Sequence, residues 1–200
     1  MKSVDSEVAH PVVAAAAQGR LPEWAVVAPG RREHVERVAA LLDSWAGQLD
    51  LPDSERERWR AVGYLHDALR DADPSELRRY VPDELRYLAD PLLHAPAAAE
   101  RLRREGVDDV ELLDAVAFHP LGDGGFGRLG RALYAADFLE PGRDFLAELR
   151  EGLRARAPHE LDEVTLEVAR LRIAHIRETG RVLDPRTRAF WTSLGGEGDA

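Results

Sequence analysis

The chain has 200 residues, enough for one sizeable core, and its 44 % hydrophobic and 32 % charged residues are the balance of a globular protein. It contains no cysteine, which excludes disulfides, thiolate zinc sites and iron–sulfur clusters and leaves any metal to nitrogen and oxygen ligands. A formal net charge of −10 makes it a poor non-specific binder of nucleic-acid backbone, although arginines and metal ions gathered locally still suit a phosphorylated small molecule.

The chain starts MKSVDSEVAH, with Asp5 and Glu7 ahead of the short apolar run Val12 to Ala17. A signal peptide needs a basic start and a longer apolar stretch, and no segment approaches the length of a membrane span, so a cytoplasmic protein is expected. Pro29 and Gly30 precede a helix with Val35, Val38, Leu42 and Trp45 on one face. The next helix is expected from Asp53 or Ser54 to about Leu69. Asp73-Pro74 reads as an N-cap followed by proline in the first turn, opening Ser75 to Tyr80. A helix over Ala95 to Glu105 stops at Gly106, and Asp108 is expected to cap the next, which runs to about Phe118.

Pro120 then breaks the chain, and the loop PLGDGGFGRLG follows. This loop lacks the lysine and spacing of a phosphate-binding P-loop, and a flexible connector is the expectation. A helix from about Leu129 carries Tyr134 to Leu139 and ends at Pro141-Gly142. Two late helices are expected over roughly Asp144 to Ala155 and Glu160 to Thr179, and Asp184-Pro185 opens a last short one. No convincing strand is found. The alanine-, leucine-, arginine- and glutamate-rich composition agrees with an all-α helical bundle. It reads as one domain over residues 1–200, with a motif-bearing core at 30–145, helices over 146–194 and a disordered tail at 195–200.

Four of the seven histidines sit at apolar helical spacing. His34 is four before Val38, His66 four after Val62, His94 four before Ala98, and His119 three after Val116. Asp67 adjoins His66, and Asp137 is four after Leu133. Apolar faces point inward, so these side chains should meet in the core. A lone histidine or aspartate on such a face is more often a satisfied core residue than a ligand. The set argues otherwise, because burying two carboxylates and four imidazoles costs several kcal/mol per ion unless a cation offsets it. His10, His159 and His175 read as structural or exposed.

The words RREHVERVA, YLHDALRD, LLHAPAAAERL, AVAFHPLG and YAADFLEPGRDF, with the ending HIRETGRVLDPRTRAF, resemble the HD superfamily of metal-dependent phosphohydrolases. Within it they are similar to the bacterial YqeK-type symmetrical diadenosine tetraphosphate hydrolases. The resemblance covers roughly residues 20–194 and rests on five motifs in order. It implies an HD-domain helical bundle with a metal site in the core. It further implies two divalent metal ions, iron by that resemblance, with manganese, cobalt, nickel or zinc chemically admissible. His34, His66, Asp67 and Asp137 would hold one ion. His94 and His119 would hold the other, with Asp67 bridging. Asp67, His66 and Arg143 are then the catalytic candidates. The implied reaction is cleavage of the tetraphosphate to two ADP by a metal-activated hydroxide.

Arg31 and Arg143 stand where the family carries arginine, and Arg70 where it usually has lysine. All three are candidates to bind substrate phosphates, whereas Arg128 and Arg131 are read as solvated surface. Glu140 is placed to orient Arg143 or a water, or simply to end a helix. The chain departs from the family after His119, where Pro120 replaces a threonine. That exchange keeps two other readings open. One is a phosphohydrolase acting on other nucleotides or small phosphoesters, and the other is a metal- and nucleotide-binding sensor with little turnover. Nothing points to DNA or a membrane as partner.

Overall fold

The computed structural model describes residues 9–197. Ten helices fill this range: α1 (Pro11–Ala17), α2 (Pro29–Gln48), α3 (Asp53–Leu65), α4 (Pro74–Leu77), α5 (His94–Arg104), α6 (Val110–Phe118), α7 (Arg128–Leu139), α8 (Ala147–Arg156), α9 (Leu161–Glu178) and α10 (Pro185–Ser193). Short 3₁₀ turns at Asp83–Leu85 and Asp90–Leu92 link α4 to α5, and there is no strand among the described residues. The fold is all-α, as expected. Of the tail expected to be disordered, residues 198–200 lie outside the described residues.

Local chemistry accounts for most helix starts. Pro29 opens α2, while Asp73 and Asp184 accept the Ser75 and Arg186 amides at the starts of α4 and α10, each followed by proline. The cap of α6 is Asp109, not Asp108. Its carboxylate accepts from the Leu112 amide, and Arg58 of α3 holds both its oxygens at 2.7 and 2.9 Å. A partner from another helix therefore decides between two adjacent aspartates.

Three other boundaries differ from expectation. Helix α3 stops at Leu65, four residues early, because the His66 ring turns back onto the Gly63 carbonyl and the chain continues as tight turns through Arg70. Helix α4 is a single turn ending at Leu77. Helix α8 begins at Ala147, after Leu146 adopts a left-handed backbone with φ 51°, which a helix beginning at Asp144 does not allow. The run before Gln18, read as an apolar segment, is helix α1 and packs on α3.

Helices α2 and α3 pack closely, α5 pairs with α6, and α7 runs through the middle, touching α2, α3, α6, α8 and α9. Trp45, Trp59, Tyr134 and Phe190 are the bulkiest buried apolar side chains. The glycine-rich loop is packed on α10. Gly122 has φ 77° and lies directly against the Phe190 ring, so only glycine fits there, and Asp123 pairs with Arg186. This architecture leaves α2, the ends of α3 and α6, the start of α5 and the last turn of α7 facing one central point.

Candidate metal centre

All six residues read from the sequence as ligands converge there. His34, His66, Asp67, His94, His119 and Asp137 are each no more than 7 % exposed. His66 caps the C-terminus of α3, where a helix continuing to about Leu69 is expected, and His119 caps that of α6, where its helix is expected to end. Asp67 sits in the turn beyond α3, and His94 is the first residue of α5. Two partly negative helix ends thus point at the cluster, which favours a cation between them.

The rings are held by local carbonyls. Nδ1–H of His66 donates to the Gly63 oxygen at 2.8 Å, that of His94 to Pro91 at 2.9 Å, and that of His119 to Val116 at 2.9 Å. A carbonyl only accepts, so each Nδ1 carries the proton and each Nε2 lone pair faces inward. His34 is oriented by Glu140, whose Oε1 is 3.2 Å from its Nδ1. Glu140 is almost fully buried and also accepts from Arg37 at 2.5 Å and from the Gly142 amide at 2.7 Å.

Asp67 lies between two groups. Its Oδ2 is 3.7 Å from His34 Nε2 and 3.6 Å from His66 Nε2, while its Oδ1 is 3.1 Å from His94 Nε2 and 3.5 Å from His119 Nε2. The two sets, His34–His66–Asp67 and Asp67–His94–His119, each keep their ligand atoms within 4.8 Å. Asp137 stands beside the first set, with Oδ1 3.2 Å from His34 Nε2. The Nε2 atoms of His34, His66 and His94 are buried without a hydrogen-bond partner.

Orphaned imidazole nitrogens beside a shared carboxylate are costly unless a cation takes their lone pairs. The donor set of nitrogen and oxygen atoms in these His/Asp clusters fits a divalent metal.

The electrostatics agree. Burial works against charge on Asp67, but His66, His119 and His94 outweigh it and hold its carboxyl well below the usual range. Burial is likewise outweighed at Asp137 by His34 and Arg172. His34 is pulled down by burial yet raised from 6.5 to about 9 by Asp137, Glu140 and Asp67. Burial lowers His66 to about 4, so its ring is neutral.

The arginines separate. Arg31 donates to Asp67 Oδ2 at 2.7 Å, and Arg143 lies 3.3 Å from Asp137 Oδ1. The Arg70 side chain makes no hydrogen bond or ion pair among the described residues; its charge adds to burial in disfavouring protonation of His94. Arg131 pairs with Asp162, away from the centre.

Sequence reasoning missed Arg172 of α9. It lies 3.2 Å from Asp137 Oδ2 and stacks on Tyr134 at 4.5 Å. Its position four after the buried Val168 is the signal that marked it as inward-facing. Beside the centre, Arg143, Arg172, Tyr134 and Pro120 line a cavity of about 970 Å³. Its remaining wall is largely apolar, with Leu88, Leu121, Phe138 and Leu171. His175 borders it, and His10 caps α1.

The HD domain family profile matches residues 31–165. A symmetrical bis(5'-nucleosyl)-tetraphosphatase from Halalkalibacterium halodurans is 24 % identical over 176 residues, 84 % of this chain and 93 % of that protein. The protein of the same name from Bacillus subtilis is 33 % identical over 99 residues, 46 % of this chain and 52 % of that one. A third, from Staphylococcus aureus, is 28 % identical over 133 residues, 64 % of each. Among solved structures, an HD superfamily hydrolase from Clostridium acetobutylicum, described as involved in NAD metabolism, has a TM-score of 0.72 at 24 % identity, covering 91 % of this chain and 94 % of that one. That likeness shows a common fold. The family match spans most of the chain and contains the whole His–Asp cluster, and the chain therefore belongs to the HD domain family.

Proposed function

We propose that the protein is a metal-dependent phosphohydrolase that cleaves dinucleoside polyphosphates, chiefly diadenosine tetraphosphate to two ADP. The observation that carries this reading is the pair of three-residue sets sharing Asp67, beside an arginine-edged cavity of about 970 Å³. The names of the curated relatives support the substrate class. We assign two divalent metals, iron by resemblance. His34, His66, Asp67 and Asp137 would hold one, and Asp67, His94 and His119 the other. When bound, such a pair supplies Lewis acidity toward phosphoryl oxygens and a nucleophile at neutral pH.

The chain's own residues supply the rest. Arg143 and Arg172 meet at Asp137, one on each oxygen, so their remaining N–H groups are positioned to donate to a phosphate chain entering from the cavity. Arg31 does the same from the Asp67 side. Arg70, unpaired near His94, is free to join them. Glu140 and the three carbonyls fix the imidazoles and hold their protons on Nδ1. The apolar walls suit a nucleoside and exclude water. A nucleotide substrate supports a cytoplasmic location.

The test is metal analysis of the purified protein together with chromatography of its products from diadenosine tetraphosphate, with Asp67→Ala alongside. ADP as sole product, lost in the variant, supports the reading; no turnover with two metals bound would overturn it. A second reading, hydrolysis of other nucleotides or small phosphoesters, is favoured by Pro120. It lines the cavity where the family carries a threonine hydroxyl. A mononucleotide that outpaces every dinucleotide would establish it.

A further inference from the structure

Arg150 of α8 has no role in the centre described above, yet it is the most anomalous charge in the fold. The residue is fully buried. None of its three guanidinium nitrogens has a hydrogen-bond partner. Its guanidinium carbon lies 4.4 Å from the Phe138 ring and 4.9 Å from the Phe145 ring, in the corner these two rings form by meeting edge-to-face. Stacking on two aromatic faces offsets part of the desolvation of a cation but leaves five N–H donors unsatisfied. The nearest cations, Arg143 and Arg154, repel it, while Glu140 and Asp137 attract it without touching it. The half-buried Arg172 nearby, by contrast, has a carboxylate partner.

Arg150 also lines the cavity that holds Arg143 and Arg172. Its outer cover is the Phe145 ring, which is itself 59 % exposed. Phe145 precedes the left-handed Leu146, on a segment between helices. Movement of this exposed side chain, rather than opening of the core, would bring the guanidinium within reach of a ligand in the cavity. In a chain of net charge −10, an unpaired buried cation beside two more arginines is a local reversal of sign.

We propose that Arg150 is an anion-binding residue of the cavity, donating its planar fork to a phosphate of the bound nucleotide beyond the phosphoryl group faced by Arg143 and Arg172. This deepens the proposed nucleotide hydrolysis and rests on it for the identity of the anion. The same guanidinium would discriminate between a polyphosphate chain and a simple monoester, because only the chain reaches both ends of the arginine row.

The experiment is calorimetric binding of ADP, inorganic pyrophosphate and adenosine to manganese-loaded wild type, Arg150→Met and Arg150→Lys, with melting curves of each. In Arg150→Met, affinity for ADP and pyrophosphate should fall roughly ten- to hundredfold while adenosine binding is unchanged, as expected for loss of charge-assisted bonds to phosphate. The ligand-free variant should melt at the wild-type temperature or above, since an uncompensated buried charge has been removed. KM for the tetraphosphate should rise by more than kcat falls. Arg150→Lys, which keeps the charge and loses the fork, should fall between.

ADP affinity within about twofold of wild type in folded Arg150→Met would overturn the proposal, because loss of a charge-assisted bond moves affinity more than that. Equal loss of ADP and adenosine would also overturn it, marking Arg150 as a support for the cavity wall. Should Arg150→Met fail to fold, the lysine variant decides: weakened ADP with intact adenosine binding sustains the proposal, and unchanged ADP binding sinks it. If ADP binds through Arg150 in a protein that leaves the tetraphosphate intact, the hydrolase reading fails and the anion site stands.

Discussion

Gly63 of α3 lies so close to Ala39 of α2 that a methyl carbon added to it would stand 2.6 Å from the Ala39 Cα and 2.8 Å from its nitrogen. Both neighbours are backbone, so they yield only if the helices part. The same glycine presents its carbonyl to His66 Nδ1. Gly63→Ala should destabilise the protein by about 2 kcal/mol or more and lower its metal content. Denaturant unfolding and metal analysis check this, and wild-type values in both would contradict it.

Asp67 is the one carboxylate shared by both ligand sets. Asp67→Asn keeps its volume and removes its charge. We expect loss of bound metal and a fall in hydrolysis of roughly a hundredfold or more, with helical circular dichroism retained. An asparagine variant that holds two metals would remove Asp67 from the bridging role.

Glu140 is expected to act through His34 rather than on substrate. It accepts from His34 Nδ1, Arg37 and the Gly142 amide. Glu140→Gln should weaken metal binding roughly ten- to hundredfold, as for other groups that orient a ligand. Competition with a chelator measures this directly. Unchanged affinity would reduce Glu140 to a helix-end charge.

Arg172 pairs with Asp137 and stacks on Tyr134. Arg172→Met should lower kcat/KM for the tetraphosphate roughly tenfold to a hundredfold, with Arg172→Lys recovering part of it. If the methionine variant is as active as wild type, Arg172 serves only to neutralise Asp137.

Metal removal should expose a histidine-driven pH dependence. The folded His34 pKa is raised from 6.5 to about 9, and that of His66 is lowered from 6.5 to about 4. Folded His34 binds its proton more tightly than the unfolded chain does. Its contribution to stability is complete below pH 6.5 and is lost as the pH rises to about 9. His66 binds its proton less tightly when folded, so its contribution is complete above pH 6.5 and is lost as the pH falls to about 4. The metal-stripped protein should therefore melt highest near neutral pH. Metal at about a thousand times its Kd should add about 4 kcal/mol and flatten the alkaline limb, because the cation replaces the His34 proton. A metal-stripped melting temperature that climbs steadily from neutral pH toward 9 would refute the His34 assignment.

Much of this is legible in the chain because it is written in local spacing. Apolar residues three and four apart mark the buried faces of α2, α6 and α7, and Asp-Pro pairs mark the starts of α4 and α10. The inward direction of His34 and Asp137 follows from the same periodicity. Periodicity also extends a helix through His66 to Leu69, where the imidazole instead takes the Gly63 carbonyl and ends it. A side chain that competes with the backbone for a hydrogen bond leaves no mark in an apolar pattern.

The remainder depends on contacts between residues far apart in the chain. Asp109 rather than Asp108 caps α6 because Arg58 arrives from α3. Arg172 meets Asp137 across 35 positions and Glu140 meets His34 across 106. The spacing from Val168 turns Arg172 inward, but no local rule names its partner or sets Arg150 apart from the many solvated arginines of this chain. Residue type and helical period are enough to choose the side chains that turn inward. Which of them meet, and which nitrogens face Asp67, follow only from how the helices pack, since a hydrogen bond tolerates a few tenths of an ångström and a hydrophobic stripe a third of a helix's circumference.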